Sequence, residues 1–124
     1  MRQYGTIVLI SLILLMFLFG CRNTTDPNIQ EESINVSISS SEVFTYATGI
    51  SGDEEVAKIT RQAKNYEIST IVRDSTTNWE AVYQYKADRA FQGTEHVELK
   101  LGTGSDGQSP NNDITLIDLQ ITVN

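Results

Sequence analysis

The sequence predicts an all-β sandwich of about seven strands in two antiparallel sheets, and three observations predict it. Beyond residue 32 the apolar residues recur mostly at every second position, the period of a strand with one buried and one wet face. The runs are short and separated by Gly, Asn, Asp and Ser, residues that favour turns. The chain has 124 residues and a single cysteine, Cys21. A core of one-domain size therefore has to close without an intrachain disulfide.

The amino terminus is of another kind. Ile7 to Phe19 (IVLISLILLMFLF) is apolar apart from Ser11 and follows a short polar stretch carrying Arg2. As a helix it would measure roughly 20 Å, against a hydrocarbon core of about 30 Å. A secretory signal helix fits better, with small Gly20 where a peptidase requires a narrow side chain. Leu18-Phe19-Gly20-Cys21 resembles the lipobox of bacterial lipoproteins, with Phe19 standing where a smaller residue is usual. The resemblance implies a signal peptide over 1–20, cleavage before Cys21, and a diacylglyceryl group on the Cys21 sulfur, commonly with further acylation, such as palmitate, of the new amine. Two or three acyl chains, at about 0.8 kcal/mol per buried methylene, make such an anchor effectively permanent. The implied location is the bacterial cell envelope, the outer membrane favoured over the inner.

Residues 21–32 read as a lipidated start and flexible linker. Arg22 to Glu32 is polar, contains Pro27 and has one isolated apolar residue, Ile29, too little to offset its ordering entropy. The domain is expected over 33–124. Ser33 to Ser39 places Ile34, Val36 and Ile38 on one side. Val43 to Ile50 is aromatic and β-branched, a strand composition. Tyr66 to Val72 alternates through Ile68, Thr70 and Val72. Trp79, Ala81, Tyr83 and Tyr85 share one face of the next strand, and Val97, Leu99 and Leu101 point inward on the one after, with His96, Glu98 and Lys100 outward. The last run changes phase between Leu116 and Ile117, which predicts a β-bulge or a strand that switches sheets.

Asp53 to Asn65 reads two ways. Asp53 could cap a helix with Glu54 and Glu55 in its first turn, whereas the regular spacing of the flanking strands favours a strand and hairpin turning at Ala63-Lys64-Asn65. Tyr83-Gln84-Tyr85-Lys86-Ala87 followed by Phe91-Gln92-Gly93-Thr94-Glu95 resembles the Y-x-Y-x-P and F-x-G-T-D signature of bacterial immunoglobulin-like and cadherin-like modules, with Ala87 for proline and Glu95 for aspartate. The resemblance covers roughly Val56 to Asn124 and implies an immunoglobulin-like sandwich, with strand, turn and strand over Val56 to Val72. On physical grounds the motif makes a corner: tyrosine hydroxyls at the polar margin of the core, Phe91 closing its end, Gly93 free to take positive φ.

Charge and chemistry narrow the function classes. The formal charge of −7 falls to about −8 once Arg2 leaves with the signal peptide. Scattered single Lys and Arg residues make no nucleic-acid footprint. His96 is the single histidine and sits on a solvated strand face, and there is no cysteine nucleophile or G-x-S-x-G elbow, so no catalytic residues and no enzyme are expected. Calcium is the cofactor to weigh, through Asp106 and Asp113 with Ser105, Asn111 and Asn112, or through Asp53, Glu54 and Glu55, yet neither cluster has the spacing of a defined calcium loop. No metal-ligating residue is therefore assigned, and the one assigned site is lipid attachment at Cys21. Trp79, Tyr83 and Tyr85 could form an aromatic platform for sugar rings, but their common face is expected to be core. The leading expectation is a non-catalytic envelope lipoprotein serving structure, adhesion or protein interaction; the next is a lipoprotein capturing glycan or calcium, and the third an accessory subunit for transport or secretion.

Overall fold

The computed structural model describes residues 26–124; the expected signal peptide, residues 1–20, and the expected lipid site Cys21 lie outside the described residues. Seven strands form an immunoglobulin-like sandwich: β1 (Asn28–Ile38), β2 (Phe44–Ala47), β3 (Val56–Arg61), β4 (Tyr66–Val72), β5 (Val82–Ala87), β6 (Gly93–Thr103) and β7 (Asp113–Val123). One sheet has the order β1-β7-β6-β3 and the other β2-β5-β4. Period-two patterning produces the core directly. Val97, Leu99 and Leu101 of β6 and Ile117, Leu119, Ile121 and Val123 of β7 meet Ala81, Tyr83, Tyr85 and Ala87 of the facing sheet. The sandwich thus closes on aliphatic side chains and two tyrosines.

The structure corrects several expectations. Strand β1 begins at Asn28, not Ser33, so the second half of the expected linker is paired to β7 in unbroken register from Asn28↔Asp113 to Ile38↔Val123. Its first six residues are exposed, so it is backbone hydrogen bonding and not side-chain burial that holds them. The pairing of β1 with β7 is parallel, which makes the four-stranded sheet mixed rather than antiparallel.

Asp53 to Asn65 contains the strand, β3, and not the helix. No hairpin follows it, because β3 pairs with β6 and β4 with β5, so residues 62–65 cross from one sheet to the other. In β4 the inward residues are Ser69 and Ile71, opposite Tyr85 and Tyr83, rather than Ile68, Thr70 and Val72; a register shift between Tyr66 and Ile68 sets this phase. Strand β2 covers only Phe44–Ala47 of the Val43 to Ile50 run. Strand β7 carries neither bulge nor sheet switch. Its pairing with β6 is continuous, and Ile114 and Leu116 lie half-buried on the outer face, where Ile114 stands beside Ile29 of β1. Apolar neighbours on a wet face, not a change of direction, caused the apparent phase change.

Candidate functional site

Two clusters of polar residues close the two ends of the sandwich, and each reads differently from its sequence. At the end where β3 crosses to β4, the tyrosine and F-x-G-T-E motifs hold the crossover. Buried Glu95 accepts from Lys64 N at 2.7 Å, Asn65 N at 3.1 Å and Asn65 Nδ2 at 2.7 Å. Tyr85 donates its hydroxyl to Asn65 O at 3.0 Å. Ser69 Oγ donates to Gln62 Oε1, which leaves the Ser69 oxygen to accept from the Tyr83 hydroxyl at 2.8 Å. Burial pushes the Tyr83 hydroxyl up to about 12 despite the favourable Ser69 contact, and it raises Tyr85 as well. Gly93 takes φ 142°, and a Cβ there would lie 3.3 Å from Cζ of Phe91. This is the corner that the motif implied.

The opposite end gathers three loops, residues 48–55, 73–81 and 104–112, beside the entry of the chain at Asn28, whose amide donates to Asn112 O at 2.8 Å. The first two loops are stitched together: Thr48 Oγ1 donates to Ala81 O at 2.7 Å, Ala81 N to Ile50 O at 2.8 Å, and Gly49 N to Glu80 Oε1 at 2.8 Å. Glu55 Oε2 accepts from Gly52 N at 2.8 Å and Ser51 N at 3.0 Å. These bonds, with the charge of Arg73, hold its carboxyl below the usual range. Arg73 bridges the loops, donating from Nη2 to Gly52 O at 2.8 Å and from Nε to Trp79 O at 3.0 Å.

Trp79 is the outstanding residue of this end. It is 61% exposed and not in the core, because β5 starts only at Val82 and the chain before it has turned outward. Asp74 caps a 3₁₀ turn, Ser75–Thr77, by accepting from Thr76 N at 2.8 Å, while Asp74 N donates to Thr77 Oγ1; the Thr76 bonds lower the Asp74 carboxyl. The turn ends with two residues at positive φ, Asn78 at 53° and Trp79 at 63°. Asparagine tolerates that region, whereas a bulky side chain in it is a strained outlier. Trp79 N donates to Asp74 O at 2.8 Å, so both of its backbone groups are held, the carbonyl by Arg73. The core position expected for the three rings holds for Tyr83 and Tyr85, which are fully buried, and fails for Trp79, so no aromatic platform forms.

The two acidic clusters weighed for calcium come to this same end, where the carboxylates of Glu55, Asp106 and Asp113 accept hydrogen bonds from neighbouring groups. Asp106 Oδ1 accepts from Ser109 Oγ and Ser109 N at 2.8 Å and Gln108 N at 2.9 Å, bonds that bring its carboxyl down to about 2. Ser105 Oγ donates to Ser109 O at 2.6 Å. Asn111 Nδ2 donates to Glu54 O at 3.0 Å and Asn112 Nδ2 to Gly104 O at 3.2 Å. Asp113 Oδ1 accepts from Asn28 Nδ2 at 3.3 Å. Among the described residues no three His, Cys, Asp or Glu side chains gather as a metal site. His96 stands exposed on the outer sheet face opposite Gln120.

Sequence reasoning missed Arg73, the bridge between loops, and Ser69 and Gln62, which complete the tyrosine network. A turn rich in Asp, Ser and Thr just before Trp79 was the available signal that the chain there is a loop.

Fold and site together define an immunoglobulin-like sandwich whose three-loop end is cross-linked by hydrogen bonds and displays one tryptophan. No family model matches the chain, and no curated protein matches it. Among solved structures it is similar to the cysteine protease inhibitor EhICP2 from Entamoeba histolytica, at 10% identity and a TM-score of 0.38, over 78% of this chain and 96% of that one.

Proposed function

We propose that the protein is a non-catalytic cell-envelope lipoprotein, held by lipid on Cys21, whose sandwich serves structure, adhesion or protein interaction. The observation that supports the non-catalytic part is that three carboxylates at the two ends are engaged in holding the fold: Glu95 accepts from three donors, Asp106 from its own loop, and Glu55 from two backbone amides. A general base must be free to reach a proton. What this end of the domain offers outward instead is an aromatic side chain on a strained, doubly held backbone, an arrangement suited to contact. The lipid anchor is supported by Leu18-Phe19-Gly20-Cys21 after an apolar run too short to span.

The test is fractionation of cells expressing the native chain or Cys21→Ser. The native chain should partition with membranes, incorporate labelled fatty acid and lose residues 1–20, whereas the variant should take up no label and keep them. A native chain that takes up no label would remove the anchor. Cross-linking in the native envelope then identifies the partner; recovery of a specific turnover activity from the purified chain would overturn the non-catalytic reading.

A further inference from the structure

We infer that the three-loop end rests on the lipid bilayer, with the Trp79 ring in the headgroup region of the membrane that holds the anchor. The inference rests on the reading of Cys21 as lipidated and deepens it by naming what Trp79 meets. Its basis is where the described chain begins. Seven Cα steps separate Cys21 from Asn28, the first residue of β1, and an extended chain covers at most about 3.6 Å per step, so the tether reaches about 25 Å at most. Strand β1 then runs to Ile38, roughly 33 Å at 3.3 Å per residue over ten steps. A tether shorter than the sandwich cannot seat the far end squarely on the bilayer, whereas it holds the end that carries Trp79 within about 25 Å of the surface in every orientation.

The exposed chemistry at that end fits the interface. Trp79 has the apolar body and polar N–H of residues that sit at headgroup depth. Ile29 and Val56, 57% and 40% exposed, occupy one row of the adjoining outer face with Ile114 and Gly102 between them, the row at which β1 enters the domain. Carboxylates at the same end, Asp53, Glu54 and Asp106, disfavour anionic lipid, so the fitting surface is zwitterionic. Tethering presents that surface at an effective concentration on the order of millimolar, so a contact too weak to hold a free domain suffices.

Trp79 is the only tryptophan of the chain and reports on itself. The acylated protein is reconstituted into phosphatidylcholine vesicles, with and without bromine on the acyl chains, and floated; residues 21–124 carrying Cys21→Ser, in solution, provide the water-exposed reference. Expected are a blue-shifted emission, at least a twofold loss of intensity in brominated vesicles, and a several-fold drop in quenching by aqueous iodide relative to the reference. Protein that floats with the vesicles while its tryptophan stays as iodide-accessible as the reference and insensitive to bromine overturns the inference alone, and leaves Trp79 facing a protein partner. Protein that does not float overturns the anchor and the inference together.

Discussion

Glu95→Ala should remove the clamp on the crossover between the sheets, and the structure sets the size of the effect. The carboxylate, 3% exposed, accepts three hydrogen bonds, from Lys64 N, Asn65 N and Asn65 Nδ2. Hydrogen bonds to a charged group contribute about 1.5–3 kcal/mol each. Lys64 is exposed and Asn65 half-buried, so water can reach part of what the carboxylate leaves. The expected cost is therefore one to two bonds' worth, about 1.5–6 kcal/mol, a large part of the roughly 5–15 kcal/mol available to a domain. Glu95→Gln keeps one acceptor oxygen for Asn65 but turns an amide N–H₂ toward the Lys64 N–H, and should cost about 1.5–3 kcal/mol. Urea unfolding of residues 21–124 carrying Cys21→Ser measures both, with the midpoint moving and the slope unchanged. Hydrogen exchange should quicken at the Lys64 and Asn65 amides before it quickens in β6 and β7. An alanine variant losing under about 1 kcal/mol, or unchanged exchange at those two amides, would refute the reasoning.

Other outcomes follow from the same geometry. Ser69→Ala strips the acceptor from the Tyr83 hydroxyl and should cost about 1–3 kcal/mol as a buried unsatisfied group, read from the same urea transitions. In alkali the raised tyrosines work against the fold. The Tyr83 hydroxyl is near 12 when folded and near 10 when unfolded, so its contribution is complete below pH 10 and is lost as pH rises through about 12; tyrosinate absorbance and the unfolding signal should rise together there. The acid side has the opposite sign: Asp106, lowered to about 2 from 3.8, contributes above its unfolded value and loses that contribution as pH falls toward 2, which NMR titration of the Ser109 amide should track. Arg73→Lys, which cannot reach Gly52 O and Trp79 O as one fork, should quicken exchange at Trp79 N without shifting the core of β6 and β7.

How much of the fold was legible depends on which force held each segment. Where side-chain burial decides, as in Val97, Leu99 and Leu101 or Ile117 to Val123, alternation located strand and face correctly. Where backbone pairing decides, it could not. Asn28 to Ser33 exposes its side chains yet pairs with β7 residue for residue, and no pattern of polarity encodes that. The hairpin expected to turn at Ala63-Lys64-Asn65 failed for a related reason. A short turn between two strands is compatible with pairing or with a crossing, and the choice is made by Glu95 from thirty residues away.

The site shows the same division more sharply. Trp79 stands two residues before Ala81 in phase with Tyr83 and Tyr85, so alternation assigns it to the core, and only the backbone rejects the assignment. Two successive positive φ values turn the ring outward, and they persist because Asp74 and Arg73 hold the amide and carbonyl of Trp79 from either side. An exposed tryptophan on a floppy loop would need no such support. Strain of about 1–3 kcal/mol per residue at a surface turn is maintained only where surrounding contacts over-determine it. That one of the supporting residues, Arg73, is itself tied to Gly52 of the neighbouring loop, at the end where the chain enters, argues that the position of this ring is what those contacts serve. Trp79→Gly, which relaxes the backbone and deletes the ring, separates the two effects: the turn should form at least as readily by Trp-independent exchange of Thr77 N, while whatever contact the ring makes is lost.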